Sequence, residues 1–217
     1  MRVHFLKTMK ISDKKIEILK AAEKVFGIRG IDAASVREIS KEAKINVAMI
    51  SYYFGSKDKL VEALFSWRIY NLNTILEDIA QNSSLTPFEK LQEILKTYLN
   101  RILDNHEFHR IMVREYAKKD SILEVAQQIN GLKIENLVSI KKVISEGYQK
   151  GIFKREAPAE AVVMVVIGGT SYLILNEKTY LELWGIKTHE EFKQRIHSEY
   201  YPYLIDSLKA ILLYDEK

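Results

Sequence analysis

Arg37, Tyr52, Tyr53 and Lys57 place a guanidinium, two adjacent phenols and an ammonium near one another in the sequence, with the small side chains of Val47, Ala48 and Ser51 between them. The chemistry this set suits is recognition of a nucleic-acid duplex, not bond making. A guanidinium can pair with guanine acceptors, methyl groups can lie against thymine, and small residues let a helix end approach base edges. Hydroxyls and an ammonium suit phosphate oxygens, which position a protein on a duplex without reading it. Lys57 directly follows Ser56, a helix-capping residue type, so its charge and the unpaired N–H groups of that helix start converge on one anion site.

The other cluster with chemical potential is His106-Glu107-Phe108-His109. Its two imidazoles are three apart, one residue short of a zinc-protease spacing, so the pair is expected on the surface. The Glu-x-x-His pairs of a carboxylate-bridged di-iron bundle, a P-loop and a GxGxxG turn are all missing from the sequence. With no cysteine there is no disulfide, thiolate zinc site, iron–sulfur cluster or cysteine nucleophile. No catalytic residue, metal or cofactor is expected, and the chain is not read as an enzyme.

The elements that must position the first set are helical. Nine glycines and three prolines in 217 residues, without repeats or low-complexity runs, leave helices joined by short turns, so the fold class is all-α. Ser12 can cap a first helix in which Ile16, Leu19, Ala22, Val25 and Phe26 recur at helical spacing, with Gly27 and Gly30 as its stop. Ser35-Val36-Arg37-Glu38 is a capping box that starts a second helix to about Ala43. Lys44, Ile45 and Asn46 make a tight turn, and Asn46 can cap a third helix from Val47 to about Tyr53. Two short helices across such a turn, backed by an amphipathic one, make a helix-turn-helix. Val36, Ile39, Ala43, Ile45, Ile50 and Phe54 can close its small core, leaving Arg37, Val47, Ala48, Ser51, Tyr52 and Tyr53 outside.

A fourth helical pattern runs from Lys57 through Leu64, Leu72 and Ile79, and Thr86-Pro87-Phe88-Glu89 opens a fifth. Further helices are expected near 105–118, 121–150, 158–177 and 189–214, with a break in the last at Pro202. The organisation read from this is a helix-turn-helix DNA-binding domain over 1–60, followed by a helical ligand-binding and dimerisation domain over 61–217. Charge follows the same division. Residues 1–60 carry thirteen Lys or Arg against seven Asp or Glu, a net +6 within an overall +4, as a polyanion-binding head would. Residues 1–10 hold no apolar run of secretory type, and Ala161–Leu175 is shorter than the roughly 20 residues of a membrane span, so a cytoplasmic protein with no membrane partner is expected.

Ser35-Val36-Arg37-Glu38-Ile39-Ser40-Lys41-Glu42-Ala43, then Ile45-Asn46, then Ser51-Tyr52-Tyr53-Phe54-Gly55-Ser56-Lys57-Asp58-Lys59-Leu60 resembles the TetR family of bacterial transcriptional regulators over about residues 12–62. The resemblance implies that Arg37, Val47, Ala48, Ser51, Tyr52 and Tyr53 face bases or backbone and that Lys57 holds a phosphate. It also implies a repressor acting as a homodimer on a palindromic double-stranded operator, released by a small apolar or amphipathic effector. Three positions depart from the family's pattern: Lys44 replaces a turn glycine, Met49 a small hydroxyl residue, and Ser51 a frequent tyrosine.

For the C-terminal domain the resemblance implies that the last two long helices pack against a partner's. Val165, Gly168 and Tyr172 on one helix, with Leu204, Leu208 and Ile211 on the other, are the expected dimer face. An effector pocket is expected from Tyr98, Ile102, Phe108, Ile111, Met112, Tyr116, Ile144 and Tyr148, because apolar and aromatic walls suit small molecules.

Overall fold

The computed structural model describes residues 12–118 and 123–214, in which every regular element is helical. They fall into two compact units. The first comprises the chain to Thr74 together with Glu107–Leu132, and the second Ile75–His106 with Lys133–Lys217.

The first unit begins with α1 (Asp13–Arg29), capped by Ser12, whose side chain accepts from the Lys15 amide. Its buried stripe, Ile18, Leu19, Ala22, Val25 and Phe26, follows the helical period. Gly27 does not stop the helix; Gly30 does, at φ 81°, a conformation that costs a residue without Cβ nothing. Next come α2 (Val36–Glu42), α3 (Val47–Phe54) and α4 (Lys57–Gln81), with Ser56 Oγ accepting from the Lys59 amide at 3.1 Å. Gly55, at φ 82°, separates α3 from α4. Ile39, Ile50, Leu60, Leu64 and Phe65 close on α1, and Phe108 and Ile111 of α6 (His106–Ala117) join them, Phe108 edge-on to Phe65 at 5.0 Å. The nearly buried Glu23 is tied to Arg68 by two bonds of 2.6 and 2.9 Å, which fixes α4 on α1.

The second unit is organised by α5 (Pro87–Asp104). Thr86 and Glu89 form a reciprocal capping box and Pro87 occupies the first turn. The inner face of α5 buries Leu91, Ile94, Leu95, Tyr98, Leu99, Ile102 and Leu103. Ile140, Val143 and Ile144 near the end of α7 (Leu123–Gln149) are also buried. A Cβ on Gly147 would meet the Phe153 ring at 2.1 Å, so only glycine lets that fully buried ring lie on the helix.

The helix expected over 158–177 is instead α8 (Ala159–Val163), a π-helical turn over Met164–Gly168, and α9 (Gly169–Leu175). A separate α10 (Glu177–Trp184) follows, ended by Gly185 in the left-handed conformation. The helix expected over 189–214 is α11 (His189–Arg195), a second π turn over Ile196–Tyr200, and α12 (Tyr201–Leu213). Pro202 makes no break. It lies in the first turn of α12, directly after the π turn, and the helical backbone runs on through it. Leu99, Ile102, Leu103, Ile174, Phe192 and Ile196 form the core here, and Trp184 stacks on Phe192 at 5.5 Å.

The expected surface placement of the His106 and His109 pair is corrected by the structure. His109 is buried, and the half-buried His106 ring lies 4.0 Å from that of His189. Histidine's half-apolar ring suits such positions when it stays neutral. Among the described residues no group of three or more metal-ligating side chains comes together, and no helix is long and apolar enough to cross a membrane.

Candidate nucleic-acid interface

The expected recognition residues sit on α2 and α3, and local bonds explain why these short helices hold their shape. Glu38 N donates to Ser35 Oγ at 3.2 Å while Ser35 N donates to Glu38 Oε2 at 2.9 Å. The Ser35 amide, followed by its hydroxyl, holds the Glu38 carboxyl below its ordinary pKa, so the box stays charged at neutral pH. At the far end, Ile45 N donates to Ser40 O at 3.0 Å and Lys44 N to Lys41 O at 3.2 Å, the double closure of a Schellman turn, with Lys44 at φ 54°. Asn46 Oδ1 then accepts from Ala48 N at 2.9 Å and starts α3.

Ile50 is the buried anchor of α3, with Ile45, Tyr53 and Phe54 packed partly behind it. Arg37, Val47, Ala48, Ser51 and Tyr52 are exposed, Tyr52 at 79%. The structure therefore brings five of the seven expected recognition residues to the open side of the helix pair. Tyr53 and Lys57 are placed differently. Tyr53 is half-buried against the core with Tyr52 edge-on to it at 5.1 Å, because the position after Tyr52 turns about 100° toward the body on a helix. Lys57 Nζ donates to the Asp32 backbone carbonyl at 3.1 Å, so its charge is held by the loop before α2.

The cations of this unit differ in their partners. Lys14, Lys24, Arg29, Lys59 and Lys118 are each within ion-pair distance of a carboxylate: Glu17, Glu42, Glu38, Glu62 and Asp32 respectively. Lys118, hydrogen-bonded to Asp32, keeps that carboxyl below its usual range. Arg37, Lys41 and Lys44, at i, i+4 and i+7 along α2 and its turn, are exposed and have no bonded partner among the described residues. The row was readable from the i, i+4, i+7 spacing, but the sequence reading singled out only Arg37. An open groove on this unit is lined by Val25, Ile28, Arg29, Glu38, Lys41, Glu42 and Lys44.

The residues expected to line an effector pocket are not gathered in one place. Phe108, Ile111 and Met112 pack in the core of the first unit, since they face α1 and α4. Tyr98, Ile102 and Ile144 are buried in the second unit, but Tyr148 is 47% exposed near the end of α7. The side chain of Tyr116 lies outside the described residues. A small apolar cleft in the second unit is lined by Leu91, Ile94, Leu95, Tyr98, Ile140, Val162 and Val163, so Tyr98 of the expected set reaches it. Burial pushes the Tyr98 phenol well above its usual pKa, which keeps it a neutral hydroxyl.

Of the expected dimer residues, Gly168 and Tyr172 are exposed, while Val165, Leu204 and Ile211 are half-buried. Leu208 is fully buried and belongs to the core, because the inner stripe of α12 is Ile205, Leu208 and Leu212. Met164, Leu175 and Tyr203, which belong to the same two apolar stripes, are large apolar side chains left open.

Residues 18–64 match the model of bacterial regulatory proteins of the TetR family, and residues 87–201 match a tetracyclin repressor-like C-terminal domain. The chain is 31% identical over 137 residues to the HTH-type transcriptional repressor NicS of Pseudomonas putida, covering 63% of this chain and 64% of that one. It is 39% identical over 106 residues to the probable HTH-type transcriptional regulator YttP of Bacillus subtilis, 49% of each chain. It thus spans less than two thirds of either curated relative. The crystal structure of HlyIIR, a hemolysin II transcriptional regulator, is similar with a TM-score of 0.62 and 28% identity, covering 94% of this chain and 98% of that one.

Proposed function

The chain belongs to the TetR family of bacterial regulatory proteins, and from that premise we propose that it is a ligand-responsive transcriptional repressor, binding a roughly palindromic operator as a homodimer. The observation that carries this reading is the open side of α2 and α3. Arg37, Val47, Ala48, Ser51 and Tyr52 are exposed there, beside cations that no carboxylate among the described residues neutralises. Arg37 is the base-reading candidate, the two small residues admit the end of α3 to the major groove, and Tyr52 and Lys57 serve the phosphates. For Lys57 this requires exchanging the Asp32 carbonyl for a phosphate oxygen, a stronger charge-assisted partner.

Release follows from coupling. A small apolar or amphipathic effector that favours one conformation of the second unit lowers DNA affinity by its differential affinity for the two states. The apolar cleft around Tyr98 supports an apolar effector, and at about 10 Å³ it must open widely to admit one.

The test is binding of the purified, ligand-free protein to duplexes from the region flanking its own gene, over a range of salt. Affinity should fall steeply and linearly in log–log form as salt rises, with protection over two half-sites about one helical turn apart. Affinity no greater than that of an unrelated protein of like charge at low salt would refute the reading.

A further inference from the structure

Lys44 is the one non-glycine among the described residues with a positive φ, 54°; the other four left-handed positions, Gly30, Gly55, Gly151 and Gly185, are all glycine. A side chain there presses Cβ toward the next carbonyl, a strain glycine does not carry. The turn does not need a lysine to close. Its closing bonds, Ile45 N to Ser40 O and Lys44 N to Lys41 O, are backbone to backbone. Nor does the side chain recover the strain locally, since it is exposed and has no hydrogen bond, ion pair or ring contact among the described residues. No contact of the side chain among the described residues therefore accounts for a lysine here.

Its surroundings indicate the chemistry of a partner for it. Lys44 ends the row begun by Arg37 and Lys41, and neither of these has a carboxylate partner among the described residues. The carboxylates that line the same groove are already engaged: Glu38 by Ser35 and Arg29, Glu42 by Lys24. Lys20 on α1 is also exposed without a partner among the described residues, but it lies in a regular helix and carries no strain. Lys44 stands two residues before Asn46, the cap of α3, at the end of the helix where Val47 and Ala48 are exposed. A lysine stem is long enough to reach a phosphate alongside a helix that enters a groove at this end.

We infer that Lys44 is a DNA-backbone anchor, its ammonium neutralising one phosphate beside the entry of α3, and that the left-handed strain at this turn is retained for that contact. The inference rests on the proposed reading of α2 and α3 as the DNA-binding element. The anchor adds affinity equally for all sequences, because a phosphate carries no base identity.

The experiment compares the full-length protein with Lys44→Gly, Lys44→Asn and Lys44→Arg. The probes are the protected duplex and an unrelated duplex of equal length, titrated from about 50 to 200 mM salt, with thermal unfolding alongside. Gly and Asn relieve the strain and remove the charge, so their Tm should rise by about 2 °C or more. Their affinity should fall several-fold on both duplexes, with the deficit shrinking about three- to fourfold across that salt range and the log–log slope flattening by about 0.9. Arg keeps charge and strain, so its Tm, affinity and slope should match the parent. If Gly and Asn raise Tm but leave affinity and slope unchanged, the anchor is overturned while DNA binding stands. If neither raises Tm, the strain argument fails. If the parent itself binds no duplex, the underlying reading falls, an outcome distinct from the other two.

Discussion

His109 is buried on α6, and burial pushes its pKa down from 6.5 to about 4. The folded state therefore prefers the neutral ring, while the unfolded chain takes up a proton near pH 6.5. Below that pH the unfolded state binds more protons, so stability rises with pH and is lost as pH falls from 6.5 through 4. The full loss from this one group is about 3 kcal/mol. Denaturation curves at stepped pH should show His109→Gln losing less stability than the parent between pH 6.5 and 4.5; parallel curves would mean that His109 does not titrate in this way. Its burial was hidden in the sequence, where a His-x-x-His spacing points to a metal or to solvent. Burial depends on which helices cover α6, a long-range property. The exposure of Arg37, Val47, Ala48, Ser51 and Tyr52 was legible because each lies off the apolar stripe of a short, capped helix. The half-burial of Tyr53 and the bond of Lys57 to the Asp32 carbonyl were not legible, because these partners come from elsewhere in the chain.

At the scale of elements, helix starts carry the most local information. Ser12, Ser35, Asn46, Thr86 and Thr188 all accept a bond from the first turn that follows them. The box at Ser35 matters most for function because it sets where Arg37 begins its helix. Ser35→Ala should destabilise the protein by about 1 kcal/mol and Ser35→Asp should restore most of it, measured by chemical denaturation. Since Ser35 and Glu38 bond each other twice over, the effects of Ser35→Ala and Glu38→Ala should fall short of additive; simple addition would show that the reciprocal box contributes nothing as a unit. Other elements left weaker traces. The π turns at Met164–Gly168 and Ile196–Tyr200 each interrupt an otherwise continuous helical pattern; Pro202, which cannot donate a backbone bond, stands just after the second, and no proline stands beside the first. α10 did leave a trace, because Tyr180, Leu181 and Trp184 recur at helical spacing before Gly185, but the span fell between two longer helical patterns.

For the molecule as a whole, charge and capping pointed to a division near residue 60, whereas the compact units divide at Thr74 and the first takes in Glu107–Leu132, an association that local spacing does not carry. An effector pocket was not legible either, because apolar residues at helical spacing serve core and cleft alike. Partnering of whole chains is the property the exposed surface addresses most directly. Met164, Gly168, Tyr172 and Leu175 recur at i, i+4, i+8 and i+11, with the three large side chains 72%, 61% and 47% exposed. Tyr203 on α12 is 71% exposed, and Gly169 lies in contact with Leu204, 3.7 Å from where a Cβ would end. An apolar strip with glycines along it suits close approach of a second copy, and a two-fold pairing would bury the same strip on both chains. Tyr172→Glu with Met164→Lys changes only exposed side chains, so the fold should be kept while the dimer is lost. Light scattering should report a monomer, and operator affinity should fall by at least tenfold, because two half-sites no longer bind as one. Leu208→Ala supplies the contrast: truncating this core residue should cost about 2–5 kcal/mol of stability and leave the dimer intact. A double variant that stays dimeric would move the interface off this strip and leave its exposure without a purpose.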